Sequence, residues 1–91
     1  MARYRILSWR EIPTVIKVFS EDGRSKSFEL DGWFQQEVDR VAMREGLIGS
    51  DAYLEQFTWS GDLERPGSPE DVGIEVVAEL EAEWLPKGRR S

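Results

Sequence analysis

Residues 25–42 read Ser25-Lys-Ser-Phe-Glu-Leu30-Asp31-Gly-Trp-Phe34-Gln-Gln-Glu-Val38-Asp-Arg-Val41-Ala42. Up to Leu30 the spacing is two: Lys26, Phe28 and Leu30 fall on one side, as on a strand whose side chains alternate between faces. From Asp31 the spacing is helical, and Phe34, Val38, Val41 and Ala42 form one apolar stripe. Asp31 stands at the change of period, where its carboxylate can accept N–H groups that the first helical turn leaves unpaired. Gly46 is placed to stop the helix in a left-handed conformation. The chain passes here from sheet to helix, and what lies on either side decides the fold class.

Upstream, everything reads as extended chain. Ala2–Trp9 forms a strand with Tyr4 and Ile6 on one face and Arg5, Leu7 and Trp9 on the other. Pro13 restricts Ile12, so Arg10-Glu11-Ile12-Pro13 makes a corner. Residues 14–20 follow as a second strand, rich in β-branched residues at Thr14, Val15, Ile16 and Val18. Glu21-Asp22-Gly23-Arg24 then supplies an Asp-Gly hairpin turn into the strand Ser25–Leu30.

Downstream, the signals are mostly helical. Ser50 is expected to cap a short helix over 51–57, with Tyr53, Leu54 and Phe57 inward. Residues 58–67 are polar and turn-rich, with a short strand at 57–59 or none. Ser68-Pro69-Glu70-Asp71 places a capping hydroxyl, a proline at the first helical position and two acids at the positive helix end. That helix should run to Trp84 or Leu85, with Val72, Val76, Val77, Leu80 and Trp84 on one face and Pro86 and Gly88 ending it. Strands first and helices after give an α+β domain: a small antiparallel sheet of about three strands, packed on one face by two or three helices. Residues 2–86 form one domain, and 87–91 a basic, disordered tail.

The 91 residues contain no histidine and no cysteine, which removes imidazole proton shuttles, thiolate nucleophiles and the usual zinc and iron–sulfur ligands. No catalytic residue stands out, and no cofactor or metal site is expected. A net charge of −6 disfavours nucleic acid, since only short basic clusters interrupt the acidic balance. No apolar run approaches the length of a membrane span, so a soluble, cytoplasmic protein with no membrane partner is expected. Glu75, Glu79 and Glu83 lie at i, i+4 and i+8, and read as a solvated acidic face. The glycines around Leu47 lack the lysine and the length of a phosphate loop.

Three surfaces stand above this background. The corner Trp9-Arg10-Glu11-Ile12-Pro13 gathers an aromatic, a cation, an acid and a rigid proline, and Trp and Arg are enriched at interface hot spots. The competing reading, that Trp9 seals the sheet edge while Arg10 and Glu11 stay in solvent, is favoured. Arg40, Met43 and Arg44 lie on the first helix, Met43 almost opposite Phe34 and flanked by the cations; Met43 is an adaptable contact for a partner, or else reaches a neighbouring element. Leu7 and Trp9 occupy the sheet face away from Tyr4 and Ile6, which exposes apolar area if the helices cover only one side.

The strings Ala2-Arg-Tyr-Arg-Ile-Leu-Ser-Trp-Arg-Glu-Ile-Pro13, Asp39-Arg-Val-Ala-Met-Arg-Glu-Gly46 and Gly49-Ser-Asp-Ala-Tyr-Leu54 together resemble a small bacterial family labelled virulence factor, and are similar to the C-terminal module of conserved virulence factor C. The likeness is strongest over residues 2–57 and looser in the last helix. That label names a phenotype and not a reaction, so the resemblance implies a small domain without supplying residue roles. It adds weight to Trp9–Pro13 and to the region from Arg40 to Tyr53, which would make one aromatic and cationic patch if the first helix crosses the first strand. The function expected is a non-catalytic accessory or protein-interaction module, with self-association as a homo-oligomer among its expected modes. Its binding residues would be Trp9, Arg10, Glu11, Pro13, Arg40, Met43, Arg44 and Tyr53. The alternative is a small ligand-binding or enzymatic subunit that uses arginines to hold an anionic metabolite.

Overall fold

The structure is a computed structural model that describes residues 1–85; Pro86, Gly88 and the basic tail lie outside the described residues. Its elements run β1 (Ala2–Trp9), β2 (Ile12–Phe19), β3 (Ser25–Glu29), α1 (Gly32–Arg44), α2 (Asp51–Glu55), β4 (Phe57–Trp59), β5 (Leu63–Arg65) and α3 (Pro69–Trp84). All strands join one antiparallel sheet in the order β3-β2-β1-β4, with β5 also pairing β1. The α+β class and the early hairpins are as expected. The sheet has five strands where about three were expected, because residues 57–65 return to the free side of β1.

β4 and β5 are one edge interrupted in the middle. β4 pairs with Leu7–Trp9 and β5 with Ala2–Tyr4. Ser60 bridges the gap: its N–H donates to the Ile6 carbonyl at 2.8 Å, and its hydroxyl accepts from the Ile6 N–H at 2.9 Å. A side-chain hydroxyl thus replaces a ladder carbonyl, and Gly61 and Asp62 bulge outward. Two three-residue strands carry too little pattern to be read locally; pairing with β1 defines them.

Register assigns the faces, since cross-strand partners share a side. Ile6, Ile16 and Phe28 are aligned, as are Tyr4, Val18 and Lys26. This is the helix-covered side. α3 packs over β2 and β3, and Gly73 presses so close to Phe28 that an added Cβ would stand 2.2 Å from the ring. Val72, Gly73 and Val76 are its buried residues, next to Ile16, Val18 and Tyr4 in a single core.

α1 crosses the sheet end that carries the β1–β2 turn, packing mainly on β2 rather than on β1. Its buried stripe is Phe34, Val38 and Ala42, and Phe34 meets Trp84 of α3 at 6.4 Å between ring centres. The capping signals act as the sequence implies: Asp31 accepts from Trp33 N–H at 2.9 Å, Ser68 accepts from Asp71 N–H at 3.2 Å, and Gly46 has φ 72°. Ser50 differs. Its hydroxyl donates back to the Leu47 carbonyl at 2.6 Å and caps nothing. α2 correspondingly ends at Glu55, two residues earlier than the spacing suggests, which turns Leu54 outward at 66% exposure while Tyr53 and Phe57 still join the core.

Candidate functional site

The corner at Trp9 is a buried knot. On β2 one extra residue, Thr14, intervenes between the partners of Leu7 and Ser8, and its hydroxyl donates to the Leu7 carbonyl at 2.8 Å. Beyond this bulge the strand ends are covered by α2. Trp9 has 0% exposure: its indole Nε1 donates to the Tyr53 carbonyl at 2.8 Å, and its ring lies 5.8 Å from that of Tyr53. Phe57 stacks edge-on against Tyr53, and Pro13 is buried beside them. Of the two readings of Trp9, the structure has the ring spent on packing at the sheet edge, and the exposed area that the open face could have shared between Leu7 and Trp9 falls to Leu7 alone.

Arg10 holds the outside of the knot. It adopts φ 56°, a left-handed conformation that costs a non-glycine residue on the order of 1–2 kcal/mol. Its partners fix it there. The backbone N–H donates to the Gln56 carbonyl at 2.9 Å, Nε to the Gln56 side chain at 3.2 Å, and both terminal nitrogens reach the Glu45 carboxylate at 2.7 Å. The guanidinium also lies over the Trp9 ring, 4.9 Å from its centre. The hydrogen bond from Arg10 holds the Glu45 carboxyl below its ordinary range, and Glu45 in turn raises Arg10. Arg10 thus joins the β1–β2 turn to the ends of α1 and α2.

The remaining predicted residues stand apart from this knot. Glu11 is exposed in the turn. Arg40 pairs with Glu37 one turn away, and Met43, at 70% exposure, projects outward beside the exposed Arg44. The structure brings Trp9, Arg10, Pro13 and Tyr53 together, and leaves Arg40, Met43 and Arg44 as a separate patch on the outer side of α1.

The open sheet face is the larger surface. Register places Leu7, Val15, Glu29 and Trp59 in one row, Arg5, Lys17 and Ser27 in the next, and Arg3, Phe19 and Ser25 in the third. Trp59 is 47% exposed, and Leu7, Val15 and Phe19 are half-buried. Three cations surround the Phe19 ring: Arg3 at 5.0 Å, Arg5 at 5.7 Å and Lys17 at 5.7 Å from its centre. Asp62 comes back from the β4–β5 bulge to meet Arg5 at 2.5 Å, and the Arg5 hydrogen bond lowers the Asp62 pKa. Where this face reaches α1, a cleft of about 390 Å³ opens between Leu7, Val15, Phe34 and Phe57, with Glu29 and Gln35 among its lining residues. The sequence indicates an apolar face through Leu7 and offers a strand at 57–59 as one alternative, but the pairing that brings Trp59 onto this face is set by β1.

A second unforeseen cluster is structural. Arg65 fills the row of acids on α3, contacting Glu79 with both terminal nitrogens at 2.7 and 2.9 Å and Glu75 at 3.3 Å, while its guanidinium lies 5.5 Å from the Tyr4 ring centre. The hydrogen bond from Arg65 holds the Glu79 carboxyl below its ordinary range, and Glu79 raises Arg65. Glu75, Glu79 and Glu83 are exposed, as a solvated acidic face implies, and two of them, Glu75 and Glu79, also clamp β5 to α3 through Arg65. Among the described residues, no group of three or more acids is arranged to hold a metal ion, and no helix is long and apolar enough to cross a membrane.

The sequence matches the virulence factor family over residues 7–87, from the middle of β1 through the whole of α3. The chain belongs to the virulence factor family. The match takes in the final helix, where the likeness of the quoted strings is loosest. No curated protein and no solved structure matches the chain.

Proposed function

We propose that this virulence factor domain is a non-catalytic protein-interaction module whose contact surface is the open face of its sheet. The observation that supports this reading is Trp59, an indole half in water on a two-layer domain, in a row with Leu7 and Val15 and on the same face as Phe19, which stands two rows away within its frame of cations. Large rings at the centre with arginine at the margin are the composition of binding hot spots. The outer side of α1, with Arg40, Met43 and Arg44, is a second and smaller contact of the same kind.

The alternative of an arginine-lined site for an anionic metabolite has less to rest on. Arg10 and Arg40 are each satisfied by an acid of the same chain, and Arg65 by two. A reading through the cytoplasm remains the simplest setting for such a module.

The test replaces Trp59 by arginine, which removes the apolar centre at a position where the core is not disturbed. Tagged wild-type and Trp59→Arg proteins are recovered from the native cell and their bound proteins compared by mass spectrometry. A partner lost at least tenfold in the variant, with an unchanged melting temperature, supports the open face as the contact surface. Equal recovery by both proteins rejects it.

A further inference from the structure

The hydrogen-bond pattern leaves one edge of the sheet unpaired. Leu30 N–H donates to the Thr14 carbonyl and Ser20 N–H to the Arg24 carbonyl. Bonding alternates along an antiparallel pair, so Lys26 and Phe28 bond inward to β2, while Ser25, Ser27 and Glu29 turn their N–H and C=O groups outward. Among the described residues no strand pairs with them, as β3 is the end strand. An unpaired edge is a template for another strand.

Beside that edge α3 carries apolar side chains that the core covers only in part, bordered by Glu29 and Glu81. Ile74 is 56% exposed, and with Val77, Ala78 and Phe28 it lines a groove of about 330 Å³ along β3. The helix and the strand are parallel: Lys26 lies by Glu70, Phe28 by Gly73, and the residue after Leu30 by Glu81.

We infer that a second copy of this chain pairs with the first along β3, about a two-fold axis through Ser27, to make one continuous sheet. The register is self-complementary. Ser27 faces Ser27 and Ser25 faces Glu29, all of them residues with outward backbone groups, so every outward N–H meets a carbonyl and no like charges oppose each other. On the helix side the same register sets Lys26 opposite the partner's Phe28, so no cation meets a cation there. The spacing fits as well. α3 lies over β2 and β3, so two copies bring their α3 helices to within about two to three strand spacings, roughly 10–14 Å. Packed helices stand about 8–10 Å apart, so Ile74 can reach Ile74 across the axis. The β3 edge is separate from the open face, and this pairing stands or falls independently of the partner surface proposed above.

Sedimentation of the intact chain at about 150 mM salt, where charges are screened beyond roughly 8 Å, gives the mass. Twice the 10.5 kDa of one chain is expected. Ser27→Pro removes an outward N–H that β2 does not use, and Ile74→Glu places an acid in the groove; each should return the mass to one chain with the circular dichroism retained. Ser27→Cys introduces the only thiol in the molecule, and mild oxidation should link it to its mate within the dimer, whereas Thr58→Cys on the far edge should stay unlinked. A single-chain mass for the wild type up to about 200 μM, together with an unlinked Ser27→Cys protein, overturns the inference. So does a dimer that survives both Ser27→Pro and Ile74→Glu.

Discussion

At Gly73 two effects of opposite sign meet in one side chain. Alanine in the middle of a helix is favoured over glycine by about 1 kcal/mol. Here the added methyl would stand 2.2 Å from Phe28, a distance that only a displaced ring can relieve. Overpacking of this kind costs about 1–3 kcal/mol, so it outweighs the helix gain. Gly73→Ala is therefore expected to lower stability by about 1–2 kcal/mol in urea unfolding, and the same substitution in a Phe28→Ala background to raise it by about 0.5–1 kcal/mol. A cycle without this change of sign would show that the ring moves aside freely. Some of this was legible in the sequence. A glycine between Val72 and Ile74 inside a well-capped helix hints at close approach, but the partner that comes close is set only by tertiary packing. Trp9 shows the opposite limit. Strand alternation puts it on the face of Leu7, yet a one-residue bulge at Thr14 and the docking of α2 bury it, and neither leaves a local signature.

Elements with strong local chemistry were readable, whereas of those made by pairing β4 stood only as one alternative and β5 was missed. α1 and α3 begin where Asp31 and Ser68 satisfy first-turn N–H groups, and those residues can be recognised from their neighbours alone. β4 and β5 have three residues each, and hold their places through β1 and through Ser60. Removing the Ser60 hydroxyl leaves the Ile6 N–H without its acceptor in a partly buried position. Ser60→Ala should cost about 1–2 kcal/mol. The effect should be local: the Ile6 amide should exchange with deuterium several-fold faster, with the amides of β2 and β3 little changed. Uniformly faster exchange over the sheet would mean that β4 and β5 cannot loosen on their own.

Over the whole molecule, exposed ion pairs join segments far apart in the chain: Arg10 with Glu45, Arg5 with Asp62 and Arg65 with Glu79. In each the carboxyl pKa is lowered in the folded state, chiefly by a hydrogen bond from the arginine. A carboxyl lowered by folding stabilises the native state above its unfolded value of about 4 and loses that contribution as pH falls through the folded value. With no histidine to titrate, the melting temperature should be flat from about pH 5.5 to 7.5 and fall progressively below about pH 4.5. Glu79→Gln should make that acid fall shallower while leaving its steepness elsewhere unchanged. An inflection between pH 6 and 7 would be at odds with these groups as the source.

Because β1 is bonded to β2 on one side and to both β4 and β5 on the other, the first strand made is also the last to be completed. Its second flank comes from a segment 48 to 63 residues later, so the loop to be closed is long and its closing entropy opposes early assembly. During synthesis the hairpins of β1, β2 and β3 can form as soon as they emerge, but the free side of β1 stays bare until Arg65 has been added. Conditions that slow the ribosome between residues 30 and 60 should therefore prolong the interval in which a nascent chain is prone to stick to its neighbours.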